Sequence, residues 1–292
     1  MYPRPFAYAC PETVPEAIDA LGNAAGDARP IAGGQSLVPM MSLGLASPDL
    51  LVDIGRLPLA GIERSNGTVT LGALTRHREL ERSGDIAALL PLAREAARFI
   101  GNPRVRNRGT LGGSLSHADP ASELGAVALA HGGRAIVAGR DGERTVALED
   151  FFHGFFATAV EPGELLTRVE LKLPPAGSGH GFVEIANRAD DFATAAAAAI
   201  VTLDDLGANC ADARLALAGV ADRPIRLESA EALCRGQALD EELLSAVARA
   251  VTESVTPEED PFVSAEYRAR AAGTCAKRAL AAAWQRARGA LS

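Results

Sequence analysis

The sequence predicts an α+β protein of two domains, and three observations predict it. Its 292 residues exceed the ~100–200 usual for one domain. A stretch rich in Pro, Gly and Ser, Pro174 to Gly181, breaks the periodic segments and reads as a linker. Beyond it, three strand patterns are followed by three helical ones. The boundary is placed between residues 176 and 177.

From the N-terminus, Val14, Ala17, Ile18 and Leu21 recur at helical spacing, with Pro15 acceptable in a first turn. Arg29 to Ala32 reads as a strand entering Gly33-Gly34, and Ser36 to Leu45 as the helix that follows. Asp49 to Ile54 is an apolar strand, and Asn66-Gly67 folds Ile62 to Leu71 into a hairpin, so a mixed sheet is expected. Thr75 is placed as a helix cap, and Leu89 to Ile100 as a helix stopped by Gly101-Asn102-Pro103. Asp119-Pro120 reads as cap and first turn of a helix with body Leu124 to Ala130, ended by Gly132-Gly133. Asp141-Gly142 joins a second hairpin, and Leu165 to Leu173 is a strand ended by Pro174-Pro175. In the second domain, strands are expected over Gly181 to Asn187, Ala193 to Leu203 and Ala211 to Val220. Helices are expected over Leu227 to Arg235, Asp240 to Val251 and Ser264 to Arg288.

Composition narrows the function. With 48% hydrophobic and 23% charged residues the chain can bury a large core, which excludes collagen-like and disordered classes. A net charge of −8 repels a phosphate backbone and an anionic membrane, so no nucleic-acid partner is expected. Apolar runs are broken by charge well short of the ~20 residues of a membrane span, and Met1 to Pro5 does not open a leader, so a cytoplasmic location is expected. Cys10, Cys210, Cys234 and Cys275 form no metal-binding spacing and read as buried thiols. The five histidines place no pair on one helical face, so no metal ligand set is expected on this chain. P-loop, dinucleotide G-x-G-x-x-G, H-E-x-x-H and G-x-S-x-G motifs are absent.

What stands out is a pair of segments, Ala32-Gly33-Gly34-Gln35-Ser36-Leu37 and Thr110-Leu111-Gly112-Gly113-Ser114, each joining twin glycines to hydroxyls. Glycine lets successive backbone N–H groups converge on one anion at close approach, and a helix starting nearby adds its own N–H groups. A diphosphate fits that description, although twin glycines also make plain tight turns. Asp119 suits a ribose or ribityl hydroxyl, or a helix cap. Arg104, Arg106 and Arg108 read as alternating residues on a strand, and Phe151, Phe152, Phe155 and Phe156 as core or a subunit contact.

At this point the chain resembles a known family. A-G-G-Q-S-L-V-P-M-M at 32–41, L-V-D-I at 51–54 and R-N-R-G-T-L-G-G-S-L-S-H-A-D-P-A-S-E at 106–123 are similar to the FAD-binding medium subunit of the carbon monoxide dehydrogenase and xanthine dehydrogenase (molybdenum hydroxylase) family. E-P-G-E-L-L at 161–166, N-R-A-D-D-F-A at 187–193 and A-E-Y-R-A-R at 265–270 extend the similarity in order along nearly the whole chain. The resemblance implies an FAD-binding region of the vanillyl-alcohol-oxidase (PCMH) type over 1–176, with subdomains of about 1–57 and 58–176. It implies a C-terminal α+β domain over 177–292, with a three-stranded antiparallel sheet and a helical bundle. By position, Ala32, Gly33, Gly34, Gln35, Ser36, Thr110, Gly113 and Ser114 would surround the FAD diphosphate, with Leu37 and Gly112 also among the cofactor-binding residues the resemblance implies. Asp119 would hold a hydroxyl of FAD, and Leu166 and Phe192 would lie near its rings. Ser114 stands where many relatives carry Asn, and Thr194 where some carry Lys.

The family also implies partners: a large molybdopterin-binding subunit and a small subunit with [2Fe–2S] clusters, in a dimer of heterotrimers. In that assembly FAD on this chain passes cluster electrons to an external acceptor, and any membrane association is peripheral, through the complex. Two rival readings are a self-sufficient FAD oxidase of the vanillyl-alcohol-oxidase type and a flavin-free assembly scaffold.

Overall fold

The computed structural model describes residues 3–289. Met1 and Tyr2 of the N-terminal segment, and 290–292 at the end of the second domain, lie outside the described residues. The first unit comprises β1 (Ala7–Ala9), α1 (Val14–Gly22), β2 (Ala28–Ile31), α2 (Leu37–Leu43) and β3 (Leu50–Asp53). Helix α1 starts at a reciprocal capping box: the Glu16 N–H donates to the Thr13 hydroxyl, and the Thr13 N–H donates to the Glu16 carboxylate. Its Ala17, Ile18 and Leu21 are buried, as their spacing predicts.

The second unit contains β4 (Ile62–Ser65), β5 (Thr68–Gly72), α3 (His77–Arg82), α4 (Gly84–Leu89), α5 (Pro91–Ala97), α6 (Pro103–Arg108), α7 (Leu111–His117) and α8 (Glu123–His131). It continues with β6 (Gly133–Gly139), β7 (Gly142–Ala147), β8 (Phe152–Gly154), β9 (Ala157–Thr158) and β10 (Leu165–Lys172). The expected mixed sheet is two separate sheets. One is parallel, in the order β1-β3-β2; the other is antiparallel, in the order β4-β5-β10-β6-β7. The difference follows from the connections: β2 reaches β3 through a helical crossover, whereas hairpins join β4 to β5 and β6 to β7. The first hairpin closes at the predicted Asn66-Gly67, with Ser65 paired to Thr68; the second closes one residue before the expected Asp141-Gly142, on Arg140-Asp141, because Gly142 already pairs with Gly139 in the ladder.

Several boundaries shift. Thr75 caps no helix; it is buried, and its hydroxyl donates to the Gly61 carbonyl. The helix expected over 89–100 is α5 alone, with α4 set apart before it and capped by Ser83. Asn102-Pro103 does not stop a helix but begins α6: the Asn102 side chain accepts from the Arg104 and Val105 N–H groups. Arg104, Arg106 and Arg108 therefore lie on a helix, not a strand, and buried Arg106 reaches the Glu81 carboxylate at 3.2 Å. Phe151 and Phe152 are core, while Phe155 and Phe156 are exposed.

The C-terminal domain comprises β11 (Gly179–Ile185), β12 (Ala195–Leu203), β13 (Cys210–Ala218), β14 (Ile225–Arg226), α9 (Glu228–Cys234), α10 (Glu241–Ser254) and α11 (Ala265–Gly289). Its sheet is antiparallel but four-stranded, because two-residue β14 pairs with β13. Strand β12 is apolar on both faces because both are covered. Ala195, Ala197 and Ala199 pack with α10 and α11; Ala196, Ala198 and Ile200 join the core of the first domain around α5 and α8. Cys210, Cys234 and Cys275 are buried free thiols, whose burial pushes their pKa up to about 12, 11 and 12, whereas Cys10 is half-buried.

The seam between the domains holds two carboxyls. Glu123, in the first turn of α8, is buried, and one carboxylate oxygen of Glu184 on β11 is buried without a hydrogen-bond partner. Burial pushes Glu123 up to about 7 and Glu184 up to about 8; Asp119 adds to the first shift and Glu123 to the second. Both folded values lie above the unfolded ones, so the stability they contribute is complete in acid and is lost as pH rises through about 7 and 8. Buried His77 and His131, pushed down to about 4 by desolvation, act in the opposite sense, but only below their ordinary value near 6.5. The melting temperature is therefore expected to fall between about pH 6.5 and 8.5, and Glu184→Gln should flatten that limb. Melting curves that stay level or rise over that range in the unsubstituted chain would contradict this.

Candidate functional site

The two glycine segments, more than seventy residues apart, meet in space. A Cβ on Gly33 would stand 2.1 Å from the Arg108 carbonyl oxygen and 3.0 Å from Gly109 Cα, so only glycine fits that contact. Gly34 then turns the chain with φ +72° before α2. The consequence is a run of free donors: among the described residues, the backbone N–H groups of Gly33, Gly34, Gln35, Ser36 and Leu37 make no hydrogen bond. The Gln35 side chain donates to the Gly33 carbonyl at 3.1 Å and fixes the loop from behind. Ser36 occupies the cap position of α2, but its hydroxyl makes no capping bond.

The second segment is built differently from the bend the sequence suggested. Gly112 and Gly113 lie inside the first turn of α7, capped by Thr110. Its N–H groups are already engaged: Leu111 with the Thr75 carbonyl, Gly112 with that of Ala73, Gly113 with the Thr110 hydroxyl, and Ser114 with the Thr110 carbonyl. Gly112 is there because a Cβ would meet Ala73 at 2.5 Å. Gly113 is exposed, so this segment offers a ligand a bare backbone surface and the Ser114 side chain rather than a nest of donors. The Ser114 hydroxyl shares a 2.8 Å hydrogen bond with that of Ser122.

Asp119 does not cap the next helix, which starts at Glu123 with Ser122 at the cap position; its carboxylate accepts from the Ala121 N–H at 2.9 Å. Half-buried between α7 and α8, Asp119 stands on the α7 side of the site with His117, whose ring packs on Phe156 at 5.0 Å. Burial pushes the His117 imidazole below its ordinary value, so it is neutral at pH 7. Leu166 is 5% exposed within β10 and belongs to the core, while Phe192 is 70% exposed on the loop before β12. Among the described residues, no hydrogen bond or ring contact ties Phe192 to either glycine segment.

The structure adds residues that sequence reasoning missed. Asp53 ends β3 beside the first segment, holding the Tyr8 hydroxyl at 2.7 Å and the Gly55 N–H at 2.8 Å. Arg76 donates to the Arg108 carbonyl. Asp53 falls within the L-V-D-I motif, which was the available signal; Arg76 had none, because its placement depends on a long-range bridge to Thr110. A cavity of about 460 Å³ opens elsewhere, between α1 and the antiparallel sheet, lined by Val14, Ile18, Leu59, Thr70 and Arg168. None of the glycine-segment residues borders it.

Free N–H groups on a loop that a Cβ would fill, beside arginines, are the donor set a diphosphate requires, so the residues fit a dinucleotide such as FAD. Comparisons with known proteins agree. Residues 4–174 match the family described as FAD binding domain in molybdopterin dehydrogenase, and residues 180–283 match the CO dehydrogenase flavoprotein C-terminal domain. The 6-hydroxypseudooxynicotine dehydrogenase complex subunit alpha of Paenarthrobacter nicotinovorans is 41% identical, over 99% of this chain and 97% of that one. The carbon monoxide dehydrogenase medium chain of Afipia carboxidovorans is 38% identical, over 99% of this chain and all of that one. A solved carbon monoxide dehydrogenase structure from Hydrogenophaga pseudoflava superposes with a TM-score of 0.95 at 39% identity, covering 98% of this chain and 99% of its counterpart. The fold, the site and these relatives together place the chain in the family of FAD-binding medium subunits of the molybdenum hydroxylases.

Proposed function

We propose that this chain is the electron-transfer subunit of a three-subunit molybdenum hydroxylase. A large partner oxidises substrate at a molybdopterin centre, a small partner relays the electrons through [2Fe–2S] clusters, and FAD held here delivers them to an external acceptor. When bound, FAD links one-electron carriers to two-electron acceptors; the protein binds it, orients it and sets its surroundings. The assembly is a dimer of such heterotrimers in the cytoplasm, touching a membrane only peripherally. No helix among the described residues is long and apolar enough to cross one.

Within this reading the FAD-binding domain is 1–176, with subdomains of about 1–57 and 58–176, and 177–292 is the C-terminal domain. Ala32 to Leu37 grip the diphosphate through backbone N–H groups, and Thr110, Gly112, Gly113 and Ser114 form the facing wall. Asp119 takes a hydroxyl of the FAD chain, and Leu166 and Phe192 flank its rings. The observation that carries the reading is the row of five unbonded N–H groups from Gly33 to Leu37, packed against Arg108-Gly109.

The purified chain is expected to bind about one FAD per polypeptide and to show no substrate dehydrogenase activity until the other two subunits are added. Calorimetric titration with FAD and assays with and without the co-expressed partners check this. Turnover of small alcohols, aldehydes or amines by the chain alone would favour an oxidase, and a chain that takes up no FAD would favour a scaffold.

A further inference from the structure

We infer that Arg76 is the charged partner of the diphosphate in this chain, its guanidinium spanning both glycine segments where the bridge to Thr110 places it. The inference rests on the FAD-binding reading above and adds to it a residue that no motif marks.

Residues 75–77 run antiparallel to 109–111. The His77 N–H donates to the Gly109 carbonyl at 3.1 Å and the Leu111 N–H to the Thr75 carbonyl at 2.9 Å, which sets Arg76 opposite Thr110. Residues directly opposite in such a bridge send their side chains to the same side, so Arg76 emerges with the Thr110 hydroxyl that caps α7. Its guanidinium then reaches the Arg108 carbonyl, the same oxygen that lies 2.1 Å from where a Gly33 Cβ would be. The guanidinium and Gly33 therefore meet at one shared carbonyl oxygen, at the head of the free N–H row.

The charge of Arg76 is unanswered there. Arg78 and Arg106, its neighbours in the fold, both pair with Glu81, at 2.8 and 3.2 Å. Among the described residues no carboxylate lies within 4.0 Å of Arg76, and the opposing charge it feels is Asp53, already engaged by Tyr8 and Gly55. Burial and the nearby Arg108 guanidinium both push the Arg76 pKa down, as expected of a cation awaiting an anion. A guanidinium carries five N–H donors in a planar fork suited to phosphate oxygens, and only one bond is used on Arg108. Lysine would keep the charge and lose the fork.

The test is FAD titration of Arg76→Gln and Arg76→Lys chains at a series of salt concentrations. Arg76→Gln keeps a donor for the Arg108 carbonyl and removes the charge; it should weaken FAD binding about 10- to 100-fold and flatten the salt dependence. Arg76→Lys should bind in between with the salt dependence kept, and it carries the test if the Gln chain does not fold. Unchanged FAD affinity in Arg76→Gln would overturn the inference. So would weakened affinity with an unaltered salt dependence, which would mark Arg76 as only a support for the Arg108 carbonyl. If the unsubstituted chain binds no FAD at any salt concentration, the functional reading fails and this inference with it.

Discussion

A Gly33→Ala chain should be isolated almost colourless, while the unsubstituted chain carries the yellow of bound FAD. The added Cβ would overlap the Arg108 carbonyl oxygen at 2.1 Å and its carbon at 2.7 Å, and this backbone has little freedom to retreat. Gly109 is held by the His77 N–H, and the Arg108 carbonyl is held by Arg76. The strain must therefore be relieved on the other side, by displacing residues 32–37, the segment that presents the free N–H groups. Overpacking of this kind costs about 1–3 kcal/mol, which as lost affinity is about 5- to 150-fold. The ratio of flavin to protein absorbance after purification, followed by FAD titration, reads the effect. Gly67→Ala is the control: it places alanine at positive φ, +75°, a backbone strain that Gly33→Ala does not carry, but at a hairpin tip where nothing lies within 4 Å of the new Cβ. Equal FAD retention in the two variants would show that the Gly33 contact does not shape the site.

The largest loss of stability is expected from Glu231→Ala. Glu231 on α9 is completely buried, and its carboxylate accepts from the Leu215 N–H at 2.8 Å and from Arg226 at 2.8 and 2.7 Å, with Arg235 at 3.5 Å. It joins α9 to β13 and is the anchor of β14, which has only two residues of its own. Removing Glu231 leaves the Leu215 N–H without its acceptor and half-buried Arg226 with only the exposed Glu228 carboxylate at 3.1 Å, a break in a buried ion pair that costs about 3–5 kcal/mol. For a chain of this length that is roughly 5–10 °C in melting temperature. Glu231→Gln, which keeps one oxygen acceptor, should lose less. Because the site lies in the other domain, FAD affinity of the folded fraction should be unaffected, and a Glu231→Ala melting temperature within about 1 °C of the unsubstituted chain would refute the assignment.

How far these features were legible in the sequence depended on the range of the interactions. Asn66-Gly67 was readable because a two-residue turn is encoded by its own residues, whereas the second turn falls on Arg140-Asp141, one residue before Asp141-Gly142, because Gly142 pairs with Gly139. Helix α1 was readable from the 3.6-residue spacing of Ala17, Ile18 and Leu21. The α6 segment departs from the expected strand because the Asn102-Pro103 start signal outweighs the strand-like alternation of Arg104, Arg106 and Arg108. Strands β1 and β14 are too short for periodicity to show, and they exist because neighbouring strands offer them partners.

At the site, both glycine segments were visible as motifs, but their division of labour was not. Thr110 draws Gly112 and Gly113 into a helix, which consumes the N–H groups that the local sequence suggested were free. Arg76 and Asp53 reach the site through pairings between distant stretches of chain, to Thr110 in one case and along β3 in the other. Asp53 at least falls within the L-V-D-I motif, whereas nothing within a few residues of Arg76 announces its role.

The shared packing of β12 carries a consequence for how this chain comes into being. Ala196, Ala198, Ile200, Ala216 and Ala218 sit in one apolar cluster with Leu92, Ala126 and Leu129, so half of the C-terminal sheet is finished only by helices made earlier in synthesis. The two matched families meet near Pro174, yet a cut there would strip a wall of methyl groups from each half. The join near Pro174 thus divides two matched families but not the apolar core, which runs unbroken across it.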